Sequence, residues 1–226
     1  MHKRLLSISL RSVSIFRIAG QLKKARLVFF SLLFLYSLCG FAQNVKKQRD
    51  IRFYKLAFEN RTGDLADTLF YSANRPLVWT DFKAQPRTTS SYSAAAFTGF
   101  GYTGKIKYSS DTAVIFVRLE VYFVKPFSWV HSYSQTTYAL QHEQRHFDIT
   151  YLITERFKQR LLETELDADY DSIIQYQYIQ AYREMNRLQE KYDNETRHGL
   201  IESEQQRWQQ QVRQWLNEVQ KITKAP

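Results

Sequence analysis

The period of the apolar positions changes along the chain. Residues 51–58 (IRFYKLAF) and 76–82 (PLVWTDF) are short mixed apolar stretches, and 60–64 is a turn-rich link between secondary elements. From Ala94 the period is two. Ala96, Thr98, Phe100, Tyr102, Ile106 and Tyr108 share one parity, then Ile115, Val117, Leu119, Val121 and Phe123 another, with Arg118 and Glu120 on the opposite face. Such alternation predicts half-buried strands. Ser109-Ser110-Asp111 supplies a turn between the two runs, so an antiparallel hairpin or meander is expected. Gly99, Gly101 and Gly104 then mark bulges or close backbone approach, and Pro126 ends the element.

Beyond Ser134 the period is helical to the end. Ala139, His142, His146, Ile149, Ile153, Phe157 and Leu161 fall three or four apart, on one stripe of a helix of about thirty residues, which turns both histidines inward. A second helix follows the acid-rich segment 167–171, with Ile174, Tyr178, Ala181, Met185, Leu188 and Tyr192 as its stripe; Ile201, Gln205, Trp208, Val212, Trp215 and Val219 mark a third. There is no internal repeat or low-complexity tract. Strands followed by helices predict one α+β domain over 43–226, an N-terminal antiparallel hairpin or small sheet and then three C-terminal helices. Trp79 and Trp129 in the β-rich part, and Trp208 and Trp215 on the last helix, read as core residues.

Composition adds the compartment. The 226 residues are 44% hydrophobic and 15% aromatic, which excludes a disordered chain. The net charge of +10 would suggest a nucleic-acid partner, but residues 1–42 carry seven bases and no acid, leaving 25 bases against 22 acids in the other 184 residues. With no basic stripe in that nearly neutral body, nucleic-acid binding is set aside. The basic segment precedes a 12-residue apolar run, Leu27 to Leu38, and then Cys39-Gly40-Phe41-Ala42. That is the shape of a signal peptide over 1–42, cleaved before Gln43, and predicts a periplasmic or extracellular protein. The run is shorter than the ~20 residues of a spanning helix. An uncleaved anchor is the alternative, and it is the one route to a membrane; lipidation at Cys39 is disfavoured by the bulky Leu38 before it. The remaining body has no cysteine, so its stability must come from core packing, with or without a metal.

His142-Glu143-Gln144-Arg145-His146 is H-E-x-x-H, expected by chance only ~0.006 times in a chain of this composition. Residues four apart on a helix project side by side, so both imidazoles can meet one Zn²⁺. Glu143, one position round from His142, then lies beside the open coordination position, where it can take a proton from water and pass it to a leaving amine. The plain alternative is two core histidines with a surface glutamate, but each buried imidazole would need a hydrogen-bond partner. A catalytic site needs a third protein ligand. Downstream candidates are His198 and the acids Glu163, Glu165, Glu184, Asp193 and Glu195. His198 is favoured because it precedes Ile201 by three, in phase with the last helix; Glu184, beside the Met185 stripe, is the runner-up. Asp148 and Asp193 are candidates to orient a ligand imidazole, and His131 and Tyr133 to donate to an oxyanion.

Trp79-Thr80-Asp81-Phe82, a β-rich stretch, His142 to Asp148 (HEQRHFD) and Tyr192 to Gly199 (YDNETRHG), in that order, resemble a family of bacterial secreted proteins described as zinc-dependent proteases and otherwise classed as domain of unknown function 922. The resemblance spans roughly 77–215. It implies a zincin-like fold with HExxH on the first long helix, His142 and His146 as ligands, Glu143 as catalytic acid/base and His198 as third ligand. Arg145 departs from the small residue of the family at that position. The reading is an exported zinc metallopeptidase acting on a peptide or protein. Its rival is a zinc-stapled, non-catalytic binding or envelope-assembly protein whose Gln-rich last helix packs on a partner.

Overall fold

The computed structural model describes residues 51, 53–86 and 89–223; the leader over 1–42, and the expectation of export with it, lies outside them. Its strands are β1 (Phe53–Asn60), β2 (Gly63–Asp64), β3 (Thr68–Phe70), β4 (Ala94–Ala95), β5 (Thr98–Ser109), β6 (Thr112–Val124) and β7 (Trp129–Val130). The helices are α1 (Thr137–Glu163), α2 (Tyr170–Thr196) and α3 (Glu202–Thr223), so the order is strands and then three helices, an α+β arrangement.

Period-two alternation builds the centre of the sheet. Ala113, Ile115, Val117, Leu119, Val121 and Phe123 of β6 are all buried, while Phe116 and Arg118 face outward. At about 1.5–3 kcal/mol for each large aliphatic or aromatic side chain removed from water, this face is a principal source of stability. β5 and β6 pair antiparallel without a break from Ser109↔Thr112 to Thr98↔Phe123, so the three glycines mark no bulge. Gly99 marks a close approach instead: a Cβ there would come within 2.8 Å of the Tyr122 ring, whereas Gly101 and Gly104 face open space.

The sheet is not purely antiparallel, as the hairpin alone suggested. β1 runs parallel to β6 from Phe53↔Thr112 to Asn60↔Leu119, and β3 then takes over the same edge, antiparallel, at Tyr122 to Val124, with β2 outside it. The reason is length. β6 has 13 residues and one edge covered by β5, so two shorter N-terminal strands lie end to end along the other. β4 and β7 form a separate two-stranded sheet. Residues 79–81 close a 3₁₀ turn whose Asp81 is buried, held by the Arg75 guanidinium at 2.7 and 3.0 Å and by the Val78 N–H at 2.9 Å. The W-T-D-F block therefore ties the segment between β3 and β4 together and is not part of the histidine cluster.

α1 begins at Thr136, whose hydroxyl accepts from the Ala139 N–H at 3.0 Å, a normal N-cap. Ile149, Ile153, Phe157 and Leu161 are fully buried, as the stripe predicts. Phe147, Thr150, Leu152 and Thr154 are buried as well, because α1 is covered by the sheet on one flank and by α2 and α3 on the other. Thr150 and Thr154 tolerate that position by donating to the carbonyls four residues back, each at 2.9 Å. The larger core joins the sheet to α1 and α2; a smaller one gathers Ile149, Tyr192, Trp208 and Val212 between the helices. Trp129 and Trp208 are buried, Trp79 and Trp215 half-buried. No helix among the described residues is long and apolar enough to cross a membrane.

Candidate metal centre

His142, Glu143 and His146 lie near the start of α1, in the floor of a cleft of about 660 Å³. The two imidazoles are 5.0 Å apart, centroid to centroid, as one helical turn requires. Between them, from the last turn of α2, comes Asp193: its Oδ1 is 3.2 Å from His142 Nε2 and 3.0 Å from His146 Nε2. Donor atoms of these three residues all fall within 4.8 Å of one another. His198, the favoured third ligand, is placed at the rim. Its Nδ1 is 3.7 Å from the same Asp193 oxygen, its side chain is 43% exposed, and its ring packs on Tyr92 at 4.5 Å. The nearest three-donor set is thus His142, His146 and Asp193, with His198 adjoining it.

The YDNETRHG block builds this arrangement residue by residue. Tyr192 stacks on the His142 ring at 4.7 Å and 21°. Thr196, buried, donates to the Tyr192 carbonyl at 2.8 Å and accepts from the Gly199 N–H at 3.2 Å, closing the end of α2. Arg197, His198 and Gly199 follow with φ of 48°, 54° and 82°, a left-handed run that turns the chain back over the site. Only glycine suits the last position, where a Cβ would lie 3.2 Å from His142 Cγ and Nδ1. His142 is therefore gripped between Tyr192 and Gly199. Its Nδ1 is buried without a hydrogen-bond partner among the described residues, so an N–H there costs about 1–3 kcal/mol.

His146 is oriented differently. Its Nδ1 faces Gln189 Oε1, and the Gln189 amide cannot be turned round, because its Nε2 donates to the His146 carbonyl at 3.2 Å and to Thr150 Oγ1 at 3.0 Å. Nδ1–H donates to Gln189, which leaves Nε2 to Asp193 or to a cation. Nothing in the sequence singled out Gln189; its spacing of seven before Thr196 on α2 carries meaning only once α2 lies against α1. Replacing Gln189 by Leu should weaken zinc binding roughly 10- to 100-fold, as loss of a partner behind a ligand imidazole does. Competition with a chromophoric chelator measures it, and an unchanged affinity would remove Gln189 from the site.

The electrostatics follow from burial and pairing. Burial works against charge on Asp193, but hydrogen bonds from both imidazoles hold its carboxyl well below the usual range. Burial likewise works against the His146 cation, yet the hydrogen bond to Asp193 and its charge raise the imidazole to about 9. Without a metal, then, a proton occupies the point where three donors converge. Glu143 is buried, and desolvation pushes its carboxyl up even though the neighbouring histidines and the Ala96 N–H, 2.8 Å from Oε2, pull it down.

The remaining candidates lie elsewhere. Asp148 accepts from Tyr71 Oη at 3.0 Å, Gln144 at 2.8 Å and Arg145 at 2.7 Å, and so orients no ligand imidazole; two positions after His146, it leaves the helix on another side. Arg145 is satisfied by that pair. Tyr133 lines the cleft but is 79% exposed, and His131, stacked on it at 5.0 Å, is not among the cleft-lining residues. The strand bordering the cleft is β4 with Ala96 and Phe97, not the body of the β5–β6 hairpin. Glu163, Glu165 and Glu195 are not in the donor set; Glu195 pairs with Arg207 and accepts from Trp208 Nε1 at 2.8 Å.

Glu184, the runner-up ligand, is held by Arg156 and Arg160 at 2.7 Å each. Burial opposes its charge, but these two hydrogen bonds win and hold its carboxyl below the ordinary glutamate value of 4.5. A lowered folded-state value means stability that is present above 4.5 and is lost as pH falls through the folded value. Glu184→Gln should cost about 1 kcal/mol at pH 7, since all three groups are about a quarter to a third exposed, and nothing near pH 2. Urea titrations at both pH values check this; an equal loss at both would exclude the ion pairs as its source.

The fold and the donor set define an α+β protein with a His–His–Asp cluster, flanked by a buried glutamate, in the floor of a cleft. No protein-family model, curated protein or solved structure matches the chain. The donor set itself suits Zn²⁺: two imidazole nitrogens and one carboxylate oxygen are its usual partners, three is the number that leaves a position for substrate chemistry, and Gln189 presets one imidazole for coordination.

Proposed function

We propose that the chain is an exported zinc-dependent hydrolase, a metallopeptidase of the HExxH kind, in which His142, His146 and Asp193 would hold Zn²⁺. The observation that carries this reading is the convergence of three donors within 4.8 Å beside Glu143, which is buried yet lines the cleft. A zinc-stapled core needs the first feature but has no use for the second. When bound, Zn²⁺ supplies Lewis acidity and makes water a nucleophile near neutral pH.

Glu143 does the proton work. Its desolvated carboxyl binds a proton more readily than an ordinary glutamate, so it can accept one from water at Oε1 or Oε2 and release it to a departing amine. The Ala96 N–H holds Oε2 in place and ties the glutamate to the segment that follows β4, where an extended peptide would lie. Among the described residues, no charged side chain apart from the histidines, Glu143 and Asp193 lines the cleft, whose walls include Tyr92, Phe97, Tyr138, Met185 and Leu200. Uncharged and apolar peptide segments suit such walls.

The test is direct. The purified protein should carry about one equivalent of zinc and hydrolyse a mixture of unstructured peptides, with activity lost to a chelator and restored by zinc. Protein that takes up no zinc, or that holds zinc and cleaves nothing across a broad peptide library, would sink the reading.

A further inference from the structure

The side of α1 turned away from the imidazoles borders a second cleft. Glu155 lies nine residues after His146, so at 100° per residue the two side chains leave the helix on opposite sides, ~13 Å apart along its axis. The cleft encloses about 280 Å³, near the lower limit for small-molecule sites, and Glu155, Asn60, Arg213 and Asn217 line it. Tyr71 and Tyr151, stacked at 4.2 Å and 8°, form an aromatic wall. Val121 and Leu216 supply an apolar one.

Its charges are unspent. Glu155 is 3% exposed, and its carboxylate has no hydrogen-bond or ion-pair partner among the described residues. Arg213, exposed at the same cleft, also lacks one among the described residues, and the two do not pair with each other. The other three buried acids among the described residues each have a partner: Asp81 with Arg75, Asp148 with Arg145, Glu143 with the Ala96 N–H. The Glu155 oxygens are not among the side-chain atoms sealed from solvent, so the carboxylate opens into this cleft, where a cationic group could pair with it.

We propose that this cleft binds a small zwitterion, a free α-amino acid, with its ammonium on Glu155 and its carboxylate towards Arg213. A simple cation would leave the guanidinium unused, and a simple anion would leave Glu155 unpaired. The carboxamides of Asn60 and Asn217 can accept from the remaining ammonium hydrogens or donate to the carboxylate, and the tyrosine pair faces the ligand side chain. The site needs no metal and does not depend on the hydrolytic reading; if that reading holds, the ligand is of the same class as a peptidase's final products.

Calorimetric titration of the purified protein with L-leucine and L-glutamine tests the assignment, with N-acetyl-L-leucine and L-leucine amide as probes that each lack one charge. The amino acids should bind, and each blocked probe should bind roughly 10- to 100-fold more weakly, the effect of losing one charged hydrogen bond. Glu155→Gln, which keeps the side-chain shape, and Arg213→Gln, at an exposed position, should each weaken L-leucine by a similar factor. Asp193→Asn, in the other cleft, should leave it unchanged. Absence of amino-acid binding at millimolar concentration, indifference to both cleft variants, or loss in Asp193→Asn would each overturn the proposal.

Discussion

Asp193→Asn should lower zinc affinity by some hundredfold, while His198→Ala should lower it less than tenfold. Structural zinc sites bind with about 10–16 kcal/mol shared among four ligands, so one ligand accounts for about 2.5–4 kcal/mol, or roughly 60- to 700-fold in affinity. Asp193 bridges both imidazoles at 3.0 and 3.2 Å, whereas His198 reaches only the carboxylate, at 3.7 Å, from an exposed rim position. Asparagine keeps the shape and one oxygen but removes the charge that a divalent cation requires. Because the His146 imidazole is raised to about 9, zinc must displace its proton below that pH, so affinity should climb by up to tenfold per pH unit until about 9 and then level off. Equilibrium dialysis of both variants across pH checks the assignment. A large loss in His198→Ala with none in Asp193→Asn would restore His198 as the ligand and make Asp193 its orienting partner.

Glu143→Gln should leave zinc content intact and reduce peptide hydrolysis by about 10²- to 10⁴-fold, the usual contribution of a positioned acid/base. The amide oxygen can still accept from the Ala96 N–H, so the segment after β4 stays in place. What is lost is a group able to bind and release a proton. Stability should rise or stay level, since a buried carboxyl whose charge is disfavoured by desolvation is exchanged for a neutral amide. Hydrolysis surviving at wild-type rate with zinc bound would remove Glu143 from the chemistry, and absence of hydrolysis in both proteins would favour the zinc-stapled binding module.

Much of the local structure was legible because period and capping are local properties. The stripes from Ala139, Ile174 and Ile201 mark three helices within a few residues of α1, α2 and α3, and the alternation from Ile115 to Phe123 lies within β6. The parallel pairing of β1 with β6 was not legible, since no local pattern records which distant strand lies beside another. The same limit governs the site. The HExxH spacing brings His142 beside His146 through helix geometry alone, but a third donor can come from any element packed on α1. Phase with the last apolar stripe pointed to His198; the left-handed run 197–199 sets that residue at the rim of the cleft, 3.7 Å from Asp193, and it is Asp193, one turn earlier on α2, that faces the pair.

Within the chain's own order of residues, then, lay the α+β succession of strands and helices and the side-by-side imidazoles with Glu143 next to them, because each depends on neighbours within a few positions. Docking α2 on α1 decided the rest: Asp193 between the imidazoles, Gln189 behind His146, and Tyr192 and Gly199 clamping His142. These contacts join residues 43 to 57 positions apart, and packing of the two helices and the sheet, not spacing along the chain, sets their distances.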